Sequence, residues 1–397
     1  MRDLLTFEEA LACILERAQP LTSELVPLEH AVGRVVAEPA RARADLPPFP
    51  SSAMDGFAVR GAETPGMLPI SARVAAGSPS ADPLEPGSAA AIATGGAIPD
   101  GADTIVPVEQ ATEEAGRVRI TEPAREAAHI RPRGGDVREG EVVISAGVRL
   151  GPAQIGALAA SGIAEVRCAR RPRVCVLATG SELRAPGDTL EPGQIFESNR
   201  PMIGAVLTAS GASVESLPVV RDDESAHRTA LEQGLVADVL VSSGGVSMGP
   251  HDLVRQVAAE LGVEEVFWGV AVKPGKPLSF GVRGETLVFG LPGNPVSSLV
   301  GALVFVRPAL NALQDVADPG PSFQVGRTRV SLRRNAHRDE FVRARREATE
   351  DGVALEPVTG QESHMIVRAA SAEALVHVPR GAGEIAAGGL VRYLDLA

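Results

Sequence analysis

The sequence predicts a multidomain α/β plus β protein, with a central doubly wound, parallel-sheet α/β domain set among β-rich modules. Three observations predict it. From residue 173, near-continuous apolar runs of strand length alternate with amphipathic runs of helix length, the pattern of buried parallel strands covered by helices. Between about 45 and 145, short β-like runs are punctuated by Gly and Pro. After Pro319 the chain alternates again without a long helical pattern. At 397 residues it also exceeds what one hydrophobic core organises.

Taken in order, residues 4–18 place Leu4, Leu5, Leu11, Ile14 and Leu15 at helical spacing, with Thr6 as the N-cap. Residues 70–75 and 89–93 read as strands of the β-rich module. Residues 151–161 return to a helical period through Ile155, Leu158 and Ala159. The first helix is expected to pack with this later segment, which makes the β-rich module an insertion. Strands are expected at 174–178, 214–220, 239–241, 266–272 and 287–289, and helices at 200–209, 223–235, 252–261 and 295–313. Runs at 324–332, 340–347 and 375–378 suggest a closing β-barrel or sandwich. The expected domains are 1–45 with 146–172, then 46–145, 173–316 and 317–397.

Composition excludes several classes. With 44% hydrophobic and 22% charged residues the chain reads as an ordinary globular protein. Its net charge of −12 repels polyanions, so no nucleic-acid partner is expected. The longest apolar stretch, 296–306, is broken by Ser297, Ser298 and Gly301 and falls short of a membrane span. Asp3, Glu8, Glu9 and Glu16 stand where a secretory signal has a basic start and an apolar run. A cytoplasmic location without a membrane partner is the expectation. Cys13, Cys168 and Cys175 form no C-x-x-C pair, which points to buried thiols rather than disulfides or zinc. The histidines, among them His129, His251, His337 and His364, have no metal-cage spacing.

In a parallel sheet the ligand crevice lies beyond the carboxyl ends of the strands. Three strands there run into polar, Gly-rich turns. The first turn carries Thr179, Gly180, Ser181 and Glu182; the second carries Ser242, Ser243, Gly244, Gly245 and Ser247. The third is Pro292, Gly293, Asn294, Pro295, where Asn294 can cap a helix whose first residue is Pro295 and leave backbone N–H groups for an anion. Each alone is an ordinary tight turn; three on one edge favour a phosphate or oxyanion site.

The segment 272–277 is the most telling. Of 38 basic residues all but Lys273 and Lys276 are arginine, and these two share a loop stiffened by Pro274 around Gly275. An ammonium is a compact point charge suited to a small tetrahedral anion, where a planar guanidinium is too wide. A solvated surface turn is the plain alternative. Glu182, Asp222 and Asp252 each follow an expected strand and could hold Mg²⁺ beside phosphate-binding loops. Asp222 could equally be a turn former, and Asp223 is the expected helix cap.

Together these segments resemble the molybdopterin molybdenumtransferases, the bacterial MoeA proteins and the E-domain of gephyrin. The matching stretches are SAMDGFAV (52–59), ATGGAIPDGAD (93–103), IRPRGGD (130–136), ATGSEL (178–183), SNRPM (198–202), VRDD (220–223), SSGGVSMGPHD (242–252), KPGKPL (273–278), GLPGNPVS (290–297) and EFVRA (340–344). The resemblance spans essentially the whole chain. It implies an L-shaped homodimer whose subunits have a discontinuous N-terminal helical domain, an inserted β-domain, the α/β domain and a C-terminal β-barrel. It implies a site shared between subunits, with Asp55, Thr94 and Asp136 from one and Glu182, Asp222, Asp252, Lys273 and Lys276 from the other. Ser247, Ser297, Arg343 and Ser363 match the family's oxyanion-contacting positions. Ser181 departs from the family, where Asp is frequent, and Gly135 replaces a larger polar residue.

The activity implied is insertion of molybdenum from molybdate into adenylylated molybdopterin, assisted by Mg²⁺, with release of AMP. Implied partners include the upstream adenylyltransferase and the recipient molybdoenzymes. Two rival readings remain at this point: the adenylyltransferase itself, which would turn over ATP, and a scaffold on the same fold.

Overall fold

A computed structural model describes residues 4–245 and 253–396. Helix α1 (Phe7–Arg17) begins as expected at Thr6, whose hydroxyl accepts from Glu9 N–H while the Glu9 carboxylate accepts from Thr6 N–H. Such a reciprocal cap contributes about 1 kcal/mol. Its buried face, Phe7, Ala10 and Ile14, joins the α/β core rather than the 151–161 segment, so the expected pairing of those two is corrected. The physical reason is the Phe7 ring, which packs edge-on to Phe305, Phe323 and Phe341.

The discontinuous domain is instead held by strand Ser23–Pro27, which pairs antiparallel with Glu165–Ala169. Helix α2 (Pro152–Ala160) packs Leu158 onto that pair with Val26, Val36 and Val166. One helix and this strand pair therefore form the unit that the inserted β-domain interrupts. Within the insertion one sheet runs Thr104–Pro107, Gly56–Val59, Ala89–Ile92, Gly66–Val74, Arg117–Ile120, Ala111–Glu114.

The α/β domain centres on a sheet ordered Ser213–Ser216, Arg173–Ala178, Val239–Ser243, Thr286–Leu291, Ser279–Arg283, Glu264–Trp268. The first four strands are parallel; the last two are antiparallel. The expected strand 266–272 thus ends at Trp268, and Val272–Lys273 pairs with the C-terminal domain instead. Periodicity could not separate these because Gly269 lies in an otherwise apolar run. Helix α3 (Asn199–Ala209) covers one sheet face; α4 (Glu224–Gly234) and α5 (Leu253–Glu260) cover the other. Asp223 caps α4 through Ala226 N–H, as expected.

The first face also carries α6 (Pro295–Gly301), which passes through a π-helical turn (Ala302–Val306) into α7 (Arg307–Leu313). This continuous element has the length and apolarity of a membrane span, more than the 296–306 run suggested. Yet 78% of it is buried inside the fold, the position of a core helix.

The C-terminal unit is a closed barrel, resolving the choice between barrel and sandwich. Asp339–Thr349 pairs with Gly352–Pro357 and with Ala374–Val378, and the ring closes through Gln324–Thr328 and Leu390–Asp395. A buried polar pair seats it on the α/β domain. Arg392 can only donate, so its contact with His377 Nδ1 fixes the proton on Nε2, which donates to Asp339 Oδ1 at 2.9 Å. Burial pushes the Asp339 carboxyl up, but the bonds from His377 and Arg380 N–H prevail and hold it below its ordinary range.

Candidate active site

The Gly-rich turns assemble at the carboxyl edge of the parallel strands, where sheet order sets their sequence in space. Thr179 N–H donates to Ser243 O at 3.0 Å, and Gly244 N–H donates to Leu291 O at 3.1 Å, so each turn is hydrogen-bonded to the next. Gly244 has φ +91°, and a Cβ there would stand 2.7 Å from Thr179 O, which leaves glycine as the fitting residue. Gly245 and Gly293 flank it; a Cβ at Gly293 would stand 3.8 Å from that same Gly244 Cα.

At one end of this edge lie the acids. Asp222 Oδ2 accepts from Ser181 N–H at 3.0 Å, while Asp222 N–H donates to Ser181 Oγ at 3.1 Å. Ser181 therefore braces Asp222 from both sides, its N–H on the carboxylate and its neutral hydroxyl on the Asp222 N–H. The Glu182 carboxylate folds back over Gly180, with its oxygens 2.6 and 2.8 Å from where a Cβ would stand. Both carboxylates are exposed and form no ion pair with a cation among the described residues. Two solvent-facing acids on adjoining loops suit a hydrated divalent cation that also touches a phosphate. Asp252 and Ser247 lie outside the described residues.

At the other end is the lysine loop. Lys273 Nζ donates to Glu340 Oε1 at 3.2 Å, and Asn335 Nδ2 donates to the same oxygen. Lys273 is 52% exposed, so this pair is weak and can open to an anion. The Lys276 ammonium is exposed and has no ion-pair partner among the described residues. Its carbonyl accepts from Val270 and Leu278 N–H, which holds the loop while the side chain stays free. The Lys273–Pro274 bond is cis. Gly275 sits against α6, with its Cβ position 3.6 Å from Ser297 O, and Ser363 O accepts from Val296 N–H at 3.0 Å. Lys273, Gly275, Ser297 and Ser363 are thus brought together at the start of α6.

Several expectations change in detail. Asn294 occupies the N-cap position before Pro295, but its side chain makes no capping bond. One N–H expected to be free for an anion, that of Val296, is taken by Ser363. Ser243 is 2% exposed and its hydroxyl points into the protein, toward Pro292 O and Ser298 Oγ, so it holds turns together rather than facing a ligand. Arg343 is 1% exposed and donates to the carbonyls of Gly360, Glu362 and Met365. Its guanidinium shapes the loop that presents Ser363 and does not reach the crevice. Burial pushes its pKa down, while Glu362 opposes that shift.

The β-domain contributes a separate cluster. Asp55 Oδ1 accepts from Thr94 N–H at 2.6 Å and from Thr94 Oγ1 at 2.8 Å, and the backbone bond first, then the hydroxyl, lowers the Asp55 pKa. Asp136 lies on the neighbouring loop, where Ile130–Arg131 pairs with Ser51–Ser52; its carboxylate is exposed. Among the described residues, no hydrogen bond or ion pair joins Asp55, Thr94 or Asp136 to the crevice. Within one chain the two clusters stand apart. Sequence reasoning assigned no role to Glu340 or Asn199, although both lie in motifs it quoted.

Comparison with known proteins accounts for the chain in three consecutive stretches. Residues 5–162 match the MoeA N-terminal region (domain I and II), 175–312 a probable molybdopterin binding domain, and 325–396 the MoeA C-terminal region (domain IV). The chain is 36% identical to molybdopterin molybdenumtransferase 2 of Mycobacterium tuberculosis over the full length of both. It is 34% identical to the molybdopterin molybdenumtransferase of Haemophilus influenzae, covering 97% of each. A crystal structure of the molybdopterin biosynthesis MoeA protein of Pyrococcus horikoshii superposes with a TM-score of 0.85 at 26% identity, covering 99% of this chain and 100% of that one. With all domains accounted for in order, the rival reading as the upstream adenylyltransferase is not favoured, and the chain belongs to the MoeA family of molybdopterin molybdenumtransferases.

Proposed function

We propose that the protein, acting in the cytoplasm as a homodimer, inserts molybdenum from molybdate into adenylylated molybdopterin and releases AMP. The observation that carries this reading is the layout of the crevice. Its acids, Glu182 and Asp222, and its lysines, Lys273 and Lys276, stand at opposite ends of one row of Gly-rich turns. An adenylylated substrate laid along the turns would place its phosphates over the Gly-rich turns, within reach of the acids, and its ene-dithiol toward the lysines.

The lysines hold the oxyanion through charge and position, in a crevice where preorganised donors act more strongly than in water. The two thiols replace one oxo group of molybdate, which leaves as water with their two protons. Water cleaves the phosphoanhydride to give AMP and the phosphate of the product. Mg²⁺ at Glu182, Asp222 and Asp252 would neutralise phosphate charge during that cleavage. Thr179, Gly180, Ser181, Gly244, Gly245, Pro292, Gly293, Asn294 and Pro295 form the floor, and the turn Pro274–Gly275 orients the lysines. No protein nucleophile is required.

Two features support the dimer. Among the described residues, no hydrogen bond or ion pair joins the Asp55–Thr94 cluster or Asp136 to the crevice of their own chain. Exposed apolar side chains also flank both half-sites: Phe49 and Met54 near Asp55, and Ile195 and Phe196 on the segment whose Ile195 N–H donates to Glu182 O. The direct test incubates the protein with adenylylated molybdopterin, Mg²⁺ and molybdate, following AMP release and metal incorporation together. Equal release and incorporation support the reading; turnover of ATP with metal-free molybdopterin, or no turnover, contradicts it.

A further inference from the structure

Asn199 opens α3 within the SNRPM segment, and nothing above gives it a task. Its side chain is 9% exposed. It is not a helix cap: the Arg200 N–H of that first turn is met by Glu197 Oε1 at 2.7 Å, and Ser198 makes no capping bond. Instead Asn199 Nδ2 donates to Gly293 O at 2.7 Å and to Ser243 Oγ at 2.8 Å. A carbonyl only accepts, so the Gly293 contact fixes which end of the amide is nitrogen. The other end, Oδ1, is buried without a partner.

The bonds continue inward. Ser243 Oγ lies 3.3 Å from Pro292 O and 3.2 Å from Ser298 Oγ, and Ser298 Oγ donates to Pro292 O. One amide thereby ties α3 to the ends of two central strands and to the first turn of α6. The arrangement carries a cost, because Asn199 Oδ1 is buried with no hydrogen bond to offset its desolvation. The gain is in position: Gly293 is held beside Gly244, where the two turns form the floor of the crevice.

We propose that Asn199 is a positioning residue, a clasp that fixes the 292–294 turn against the 243–245 turn so that both meet the phosphates of the bound substrate. This rests on the function proposed above, so its test carries a readout independent of turnover. In full-length Asn199→Ala, the amide hydrogens of Gly290, Leu291, Gly293 and Asn294 exchange about tenfold faster than in wild type, as expected from loss of the two hydrogen bonds made by the Asn199 amide. The KM for adenylylated molybdopterin rises about tenfold, whereas half-saturation by molybdate, governed by the lysine loop, stays within about twofold. Asn199→Asp, which sets an oxygen against Gly293 O, loses at least as much. Asn199→Ala combined with Ser243→Ala loses less than the product of the single effects, because both act through one chain of bonds.

Unchanged exchange at 290–295 in Asn199→Ala overturns the clasp. A general loss, with melting temperature, molybdate saturation and substrate KM all displaced together, also overturns it by reducing Asn199 to a structural role. Faster exchange at 290–295 in a protein whose wild type inserts no molybdenum leaves the clasp standing and overturns the functional reading instead.

Discussion

The two ends of the crevice are built alike with opposite charge. At the acidic end Asp222 is braced by Ser181 while the Glu182 carboxylate has no hydrogen-bond partner among the described residues. At the basic end Lys273 is braced by Glu340 while Lys276 has no ion-pair partner among the described residues. Each end thus keeps one charge fixed and one available. The difference lies in the brace: Ser181 is neutral and leaves the charge of Asp222 intact, whereas Glu340 partly cancels that of Lys273. The free group should therefore matter most at the lysine end.

That asymmetry can be broken in steps. Lys276→Ala removes the ammonium of the loop that has no ion-pair partner among the described residues and should lower molybdenum insertion by on the order of 10²–10³ with the melting curve unchanged; retained turnover would count against the reading. Lys276→Arg should also be clearly impaired, since the planar fork replaces a point charge. Glu182→Gln should weaken Mg²⁺ activation by at least about tenfold, read from the Mg²⁺ dependence of AMP release, while molybdate saturation holds. Glu340→Gln should have the opposite sign, improving molybdate affinity by up to about fivefold, because an exposed pair worth at most about 1 kcal/mol no longer competes for Lys273. The smallest effect is in the β-domain. Thr94→Ala removes the hydroxyl donor to Asp55, so its carboxyl should titrate higher than in wild type, toward the ordinary range, in an NMR titration. The sign follows from the lowered native pKa: the Asp55–Thr94 link is present above the ordinary range and is lost as pH falls through the lowered value.

A second contrast sets the crevice against the barrel, where a buried histidine has both ring nitrogens bonded. His377 is capped by Asp339 and Arg392 among Phe7, Phe323 and Phe341. His377→Ala should cost about 3 kcal/mol in a denaturant melt, since it strands a buried carboxylate.

Much of this was legible in the sequence. Strand-length apolar runs and Gly-rich turns marked the parallel sheet, and Thr6 and Asp223 announced their helices through short-range bonds to the next turn. The two lysines stood out because the chain otherwise uses arginine. What periodicity could not show was partnership across distance. Strand Ser279–Arg283 gave no separate signal, because a short apolar run does not reveal its direction. The burial of Arg343 and Ser243 depends on loops 17–22 and 49–55 residues away in the chain. The family pattern named their positions, but only the folded contacts distinguish a side chain that meets a ligand from one that holds a loop.

The central claim is that Lys276 receives the oxyanion while the acids serve a separate end of the same crevice. Calorimetric titration of molybdate into wild type, Lys276→Ala and Glu182→Gln tests it most directly. The account predicts binding to wild type and to Glu182→Gln and its loss in Lys276→Ala. Undiminished binding to Lys276→Ala would contradict it.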